Sequence, residues 1–187
     1  GYSNLRNLII GKVYSTADLA YYDQGDKFPK VIVSNINTSI DSVLLPSMSS
    51  EQDDRERVKN MTRRAIKTST YIMAPLMMGL AFCAEPVVTL VLTEKWLPCV
   101  PFLRIFCITY MFWPVHTANL NAIKAMGHSD WFLKLEIIKA VFCLAALLAT
   151  VNFGVTAIAY SALFTSAASQ IINAWPNKKL LGYGYLE

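Results

Sequence analysis

The sequence is poor in charge: only 16% of its 187 residues are Asp, Glu, Lys or Arg, whereas a soluble domain usually has about a quarter. Residues 68–84, 105–123 and 140–177 contain none of these four residue types. A helix that crosses a bilayer needs about 20 mostly apolar residues, and 54% of this sequence is hydrophobic. The shortage of charge therefore argues against a water-soluble domain and predicts an all-α, polytopic membrane protein.

Patterns typical of catalytic and metal sites are also missing. The four cysteines include no C-x-x-C pair, and His116 and His128 have no companions at the spacing of metal ligands. The sequence has no Gly-rich phosphate loop and no nucleophile elbow. Asp53 and Asp54 suit a helix N-terminus better than metal-dependent glycosyl transfer. We therefore expect no metal, no cofactor, no catalytic residue and no nucleic-acid partner, and hence a protein that is not an enzyme.

The apolar runs and the residues that break them predict one truncated and five complete spans. They cover residues 1–13, 28–47, 68–92, 102–126, 131–151 and 155–175. Because the chain opens without Met inside an apolar segment, we expect an internal fragment of a longer protein. Residues 14–27 are predicted to form a polar connection, and Pro176 is predicted to end the last span.

The longest hydrophilic segment, residues 50–67, predicts a helical extension that enters the third span. Ser50 and Asp53 have the spacing of a capping box at its start. Most of the 17 Lys and Arg residues fall in the loop 48–67, the region 124–139 and the chain after Pro176. By the positive-inside rule this side is cytoplasmic.

Polar residues line up on the second predicted span. At 100° per residue, the side chains of this first polar stripe share one face over about 16 Å. Its members are Lys30, Ser34, Asn37 and Asp41. The stripe predicts one wall of a hydrated substrate cavity, because polar groups are expensive in hydrocarbon. The alternative is that Lys30 reaches the membrane surface and Asp41 is a structural partner of another residue.

A second polar stripe lies on the fourth predicted span and has Trp113 beside it. Its members are Tyr110, Thr117, Asn121 and Lys124. Amides and a cation beside an aromatic ring suit a sugar, whose hydroxyls need donors and acceptors while its C–H face stacks on the ring. Hydrogen bonding between helices is the alternative.

Three further ionisable residues lie within predicted spans. Arg6 is a candidate phosphate ligand, or a partner of Asp41. Asp41, Glu85 and His116 are candidates for coupling to an ion. For Glu85 a structural role is favoured, and for His116 a packing hydrogen bond is favoured over a proton relay.

Several strings of the sequence together have a familiar order and spacing. They are LIIGKVYSTADLAYYDQGDKFP, VLLPSMSSEQDDRERVK, MAPLMMGLAFCAEPVVTLVLTEKW and GHSDWFLKLEIIK. In these strings the chain resembles the Wzx-type flippases of lipopolysaccharide and polysaccharide biosynthesis, which belong to the multidrug/oligosaccharidyl-lipid/polysaccharide exporter superfamily. The resemblance covers essentially the whole chain.

The resemblance implies a two-lobe transporter in which this chain supplies the end of helix 7 through helix 12, with an N-terminal lobe preceding it. It implies a multi-pass protein of the bacterial cytoplasmic (inner) membrane that flips undecaprenyl-pyrophosphate-linked oligosaccharides for lipopolysaccharide, O-antigen or other surface polysaccharides. Alternating access would be driven by H⁺ or Na⁺, with Arg6 and Lys30 as candidate pyrophosphate ligands. The loop 48–67 and the C-terminal end would be cytoplasmic, and membrane lipid would surround the helices.

Three alternatives are open. A multidrug/cation antiporter of the same superfamily predicts a more acidic and less cationic cavity. A membrane-embedded polysaccharide polymerase predicts a sizeable catalytic loop outside the membrane, which the single helical segment 50–67 does not provide. A purely structural membrane subunit would tolerate neutral residues in place of Asp41 and Arg6.

Overall fold

The computed structural model describes the backbone of residues 2–51, 53–127 and 129–181, and over these residues its regular structure is entirely helical. The elements are α1 (Tyr2–Val13), α2 (Thr16–Ser50), α3 (Arg55–Phe82), α4 (Ala84–Leu92), a 3₁₀ helix (Glu94–Cys99), α5 (Val100–Met111), α6 (Trp113–Ala125), α7 (Ser129–Thr150) and α8 (Val155–Leu181). His128 and residues 182–187, which figure in the predictions above, lie outside the described residues. The all-α class is confirmed.

Helix α2 begins well before the predicted start of its span, so the prediction of a polar connection over 14–27 is wrong for most of its length. Ser15 caps the helix: its Oγ accepts a hydrogen bond from the Asp18 backbone N–H at 3.1 Å, and the Asp18 carboxylate accepts from the Ser15 backbone N–H at 3.3 Å. This capping box satisfies two N–H groups that a helix start leaves free. The polar composition therefore belongs to the first turns of a helix.

The predicted capping box of Ser50 and Asp53 is wrong. Ser50 is the last residue of α2, and its Oγ donates to the Ser47 carbonyl at 2.9 Å. Asp54 caps α3 instead and accepts from the Arg57 backbone N–H at 3.1 Å. From Arg55 the extension enters the third span as predicted, in one helix that runs to Phe82.

The prediction that Pro176 ends the last span is wrong. Helix α8 continues past Pro176 to Leu181, and Pro29, Pro46 and Pro75 lie inside helices. Membrane helices tolerate proline where neighbouring groups satisfy the freed backbone.

Two predicted spans are broken. The third bends by 70° at Cys83, between α3 and α4. Arg104 bridges this bend, because its Nε donates to the Ala81 carbonyl at 3.3 Å and its Nη2 to Glu85 at 2.9 Å. The fourth span breaks at Phe112, between α5 and α6.

The packed centre of the molecule is formed by α5 and α6, against which α2, α3 and α8 pack. Gly25 of α2 allows the closest approach. A Cβ added there would lie 2.6 Å from the Phe102 Cβ and 2.9 Å from the Leu103 backbone nitrogen. Buried apolar side chains such as Leu103, Phe106 and Ile158 fill the core around this contact.

Tyr14, which follows α1, contacts the turn between α7 and α8. The Tyr14 hydroxyl donates to the Val151 carbonyl and accepts from the Gly154 backbone N–H at 2.9 Å. Gly154 has φ +101, a conformation open to glycine. It closes the predicted short turn between α7 and α8.

Within the described residues, two helical stretches are long and apolar enough to cross a bilayer, Glu94–Ala125 and Val155–Asn173. The bent pair α3 and α4 is a third if it counts as one span. Helices α2 and α7, also predicted as spans, are not among them, since α7 carries charged residues such as Glu136 and Lys139 and α2 carries the first polar stripe. Together with the large apolar side chains exposed along α7 and α8, these stretches indicate an all-α membrane protein.

Candidate functional site

A cavity of about 340 Å³ opens among α1, α2 and the helices α5 to α8. Its lining includes three cationic side chains, one carboxylate, three large aromatic rings and a histidine. They are Arg6, Lys30, Lys139, Glu136, Phe106, Tyr110, Trp113 and His116. The sequence predicts Arg6, Lys30, Tyr110 and His116 as site residues, and the structure brings these four to one cavity.

Arg6 ties α1 to two distant helices. Its Nη2 donates to Thr165 Oγ1 at 2.9 Å and to Cys143 Sγ at 3.3 Å. The alternative pairing of Arg6 with Asp41 is not formed, because Asp41 accepts from Asn121 instead. The Arg6 Nε is buried and has no hydrogen-bond partner among the described residues. One donor of this guanidinium is therefore left unsatisfied by the described residues.

Lys139 is a site residue that sequence reasoning placed with the cytoplasmic charges. It is 5% exposed, lines the cavity and pairs with Glu136 one turn earlier on α7. The spacing of Glu136, Lys139 and Cys143 puts all three on one helix face. This spacing could have identified Lys139 as a cavity residue from the sequence.

Asp26 is a second residue that the sequence analysis missed, because it lies in the predicted connection. This buried carboxylate accepts from the Tyr110 hydroxyl at 2.5 Å and from Lys30 Nζ at 3.3 Å. It therefore fixes two residues of the cavity lining, Tyr110 and Lys30, from behind.

His116 and Glu85 occupy very different surroundings. The His116 ring lies 5.8 Å from the Trp113 ring, and its Nδ1 shares a hydrogen bond with the Asn173 side chain. Glu85 lies at the surface in an ion pair with Arg104, which agrees with the favoured structural role. The structure thus places His116 in the cavity and Glu85 away from it.

The remaining residues of the two polar stripes do not line the cavity. The stripes meet one another where Asn121 Nδ2 donates to Asp41 Oδ1 at 2.6 Å. Asn37 and Thr117 are buried, whereas Ser34 is exposed and Lys124 is exposed beside the Phe132 ring at 4.8 Å. The bond between Asn121 and Asp41 is a hydrogen bond between helices, which is the alternative that the sequence left open for the second polar stripe.

Comparison with known proteins places the chain among proteins of polysaccharide biosynthesis. A family model described as polysaccharide biosynthesis protein matches residues 1–101. An uncharacterized membrane protein in the cps region of Klebsiella pneumoniae is 28% identical over 75% of this chain and 29% of its own length. No solved structure matches.

Two further relatives have assigned roles. The lipopolysaccharide biosynthesis protein WzxC of Escherichia coli is 23% identical over 78% of this chain and 30% of its own length. The teichuronic acid biosynthesis protein TuaB of Bacillus subtilis is 23% identical over 68% of this chain and 26% of its own length. The chain thus spans less than a third of the length of these relatives. Because the family match covers more than half of the chain, this membrane protein belongs to the polysaccharide biosynthesis protein family.

Proposed function

We propose that the chain is part of a transporter that flips undecaprenyl-pyrophosphate-linked oligosaccharides from the inner to the outer leaflet of the bacterial cytoplasmic membrane. The observation that carries the proposal is a cavity with three cationic side chains, one carboxylate and three large aromatic rings among the helices of a membrane protein. The relatives support it, because one is a lipopolysaccharide biosynthesis protein and another is the succinoglycan biosynthesis transport protein ExoT of Rhizobium meliloti.

The charge of the cavity suits an anionic group. Arg6, Lys30 and Lys139 line it, against Glu136 as the carboxylate. Positive charge in a membrane interior is costly unless it has a partner. Lys30 and Lys139 have the carboxylates of Asp26 and Glu136 beside them, whereas Arg6 donates to the neutral groups of Thr165 and Cys143. A guanidinium can bind phosphate through two parallel hydrogen bonds. The pyrophosphate of a lipid-linked sugar is a partner of this kind.

The mechanism we propose is movement without bond chemistry, so the protein needs no catalytic residue or cofactor. The rest of the longer protein supplies the opposing lobe, and rocking of the lobes exposes the headgroup to each side in turn. The lipid tail stays in the bilayer, H⁺ or Na⁺ drives the cycle, and the loop 48–67 faces the cytoplasm. A multidrug/cation antiporter fits less well, because an organic cation would meet three positive side chains in this cavity.

The test replaces cavity cations in the full-length protein, expressed in a strain that lacks its own copy. We expect Arg6→Ala and Lys139→Ala each to lower surface polysaccharide at least about tenfold, the effect of losing about 1.4 kcal/mol of binding. The matched control is Lys12→Ala, since Lys12 is an exposed cation at the end of α1, away from the cavity lining. Polysaccharide is measured on cells with equal amounts of each protein in the membrane.

Normal polysaccharide in both cavity variants, at normal protein level, would show that these cations do not hold the transported headgroup. A loss in Lys12→Ala as large as in the cavity variants would mean that the effect is general to positive charge.

A further inference from the structure

Two residues of the cavity lining, Gln170 and Arg6, each have a side-chain atom that hydrogen-bonds to none of the described residues. Gln170 Nε2 donates to the Phe112 carbonyl at 2.8 Å. Because a carbonyl only accepts, this bond fixes the orientation of the amide and leaves Oε1 as the free end. Gln170 Oε1 is buried and, like Arg6 Nε, has no hydrogen-bond partner among the described residues. Buried polar groups of this kind normally have partners.

The break between α5 and α6 produces this arrangement. At the break the Phe112 carbonyl accepts from the Val115 backbone N–H at 3.2 Å and also from Gln170 of α8, and the next residue, Trp113, starts α6 at the cavity. Trp113 is 38% exposed, and its ring packs edge-on against the Tyr110 ring at 5.3 Å. An open indole beside an amide acceptor is thus built into the lining.

A phosphate, an organic cation and a sugar differ in how well their charge and hydrogen-bonding groups fit this lining. A phosphate oxygen accepts from Arg6 Nε but offers no proton to Gln170 Oε1. An organic cation would lie among Arg6, Lys30 and Lys139. A sugar hydroxyl both donates and accepts, and the C–H face of the ring can lie on Trp113.

We propose that this cavity is a subsite for one sugar ring, with Trp113 as its stacking surface and Gln170 Oε1 as acceptor of a sugar hydroxyl. Arg6 Nε donates to an oxygen of the same headgroup. The volume of about 340 Å³ lies at the small end of ligand pockets, which suits a single ring. This inference rests on the proposed function and assigns the sugar-recognising part of the site.

The experiment measures binding by the purified full-length protein in lipid nanodiscs. The probes are undecaprenyl pyrophosphate without sugar and undecaprenyl pyrophosphate that carries one glucose, galactose or N-acetylglucosamine. The variants are Trp113→Leu and Gln170→Leu, with Trp113→Phe as the conservative change. Phe164→Leu is the control, because Phe164 is an exposed ring of α8 that does not line the cavity.

We expect the protein to bind at least one sugar-bearing lipid more tightly than the sugar-free lipid. Trp113→Leu and Gln170→Leu should each weaken that binding by about fivefold or more, the size expected for loss of a stacking or hydrogen-bonding contact. They should weaken binding of the sugar-free lipid less than binding of the sugar-bearing lipid. Trp113→Phe should restore most of the affinity, and Phe164→Leu should bind like the unmodified protein.

The possible failures are distinguishable. If the unmodified protein binds neither kind of lipid, the proposed function fails and this inference with it. If it binds the sugar-free lipid as tightly as every sugar-bearing one, or if Trp113→Leu and Gln170→Leu bind the sugar-bearing lipid normally, the sugar subsite is overturned and the proposed function stands. A variant that fails to fold is identified by its elution on size exclusion, and its partner variant then decides.

Discussion

At the scale of single residues, the positions of two cavity side chains, Tyr110 and Lys30, depend on hydrogen bonds to a buried carboxylate outside the cavity lining. Asp26 is buried between α2 and α5, where it accepts from the Tyr110 hydroxyl and from Lys30. A buried carboxylate that loses such a donor keeps the full cost of its lost hydration. The stability of the fold and the position of two cavity residues therefore depend on one carboxylate.

Replacing Tyr110 by Phe tests this dependence. Asp26 would keep Lys30 but lose the hydroxyl at 2.5 Å, so we expect the free energy of unfolding to fall by about 1–3 kcal/mol. The measurement is thermal unfolding of the purified full-length protein in detergent. Tyr160→Phe, at an exposed tyrosine of α8, should unfold like the unmodified protein; an unchanged midpoint in Tyr110→Phe would contradict the role given to Asp26.

The residues that sequence reasoning found and missed differ in a physical way. Arg6, Lys30 and Tyr110 stand out because a polar residue in an apolar run is conspicuous, and all three reach the cavity. Asp26 lies in a polar stretch, where its burial depends on a helix distant in sequence. The role of Gln170 depends on its hydrogen bond to the Phe112 carbonyl. The periodicity of the sequence does not reveal this contact.

At the scale of elements, the course of the helices follows capping and packing more than the hydropathy pattern. The pattern predicted the existence of the helices because long charge-free runs have few alternatives in a membrane protein. It misplaced the start of α2, where the capping box at Ser15 begins the helix within a polar segment. It also missed the break at Phe112, where the carbonyl accepts from Gln170 of α8, a contact that hydropathy does not reveal.

Gly25 shows how closely two helices can pack, and its replacement by Ala is a test of the α2–α5 contact. The added Cβ would lie 2.6 Å from the Phe102 Cβ, so the helices must separate at a cost of about 1–3 kcal/mol. Gly79→Ala is the matched control, because nothing lies within 4 Å of its added Cβ. Alanine inside a helix is better than glycine by about 1 kcal/mol.

Thermal unfolding of the two full-length variants in detergent gives the comparison. We expect a lower midpoint for Gly25→Ala and an equal or higher midpoint for Gly79→Ala. Equal loss of stability in both variants would mean that the close approach at Gly25 is not what requires glycine.

At the scale of the whole molecule, the orientation in the membrane decides which leaflet the cavity serves first. The prediction is that the loop 48–67 is cytoplasmic and that the 3₁₀ helix Glu94–Cys99 faces the opposite side. Single cysteines test it in a cysteine-free full-length protein, at Glu56→Cys and at Lys95→Cys, since both native residues are exposed.

A membrane-impermeant maleimide should label Lys95→Cys in spheroplasts and should label Glu56→Cys only after lysis. The reverse pattern would invert the assignment from positive charge. Labelling of both in spheroplasts would place the two segments on the same side and contradict the predicted number of crossings between them.

Two side chains, Tyr14 and Arg6, link the α1 end of the structure to the α7–α8 hairpin. Tyr14 joins the connection after α1 to both sides of the turn between α7 and α8 through Val151 and Gly154, and Arg6 makes a second link from α1 to α7 and α8. The first helix is thereby fastened to the last hairpin at two heights. A tilt of α1 would carry α7 and α8 along as one lever.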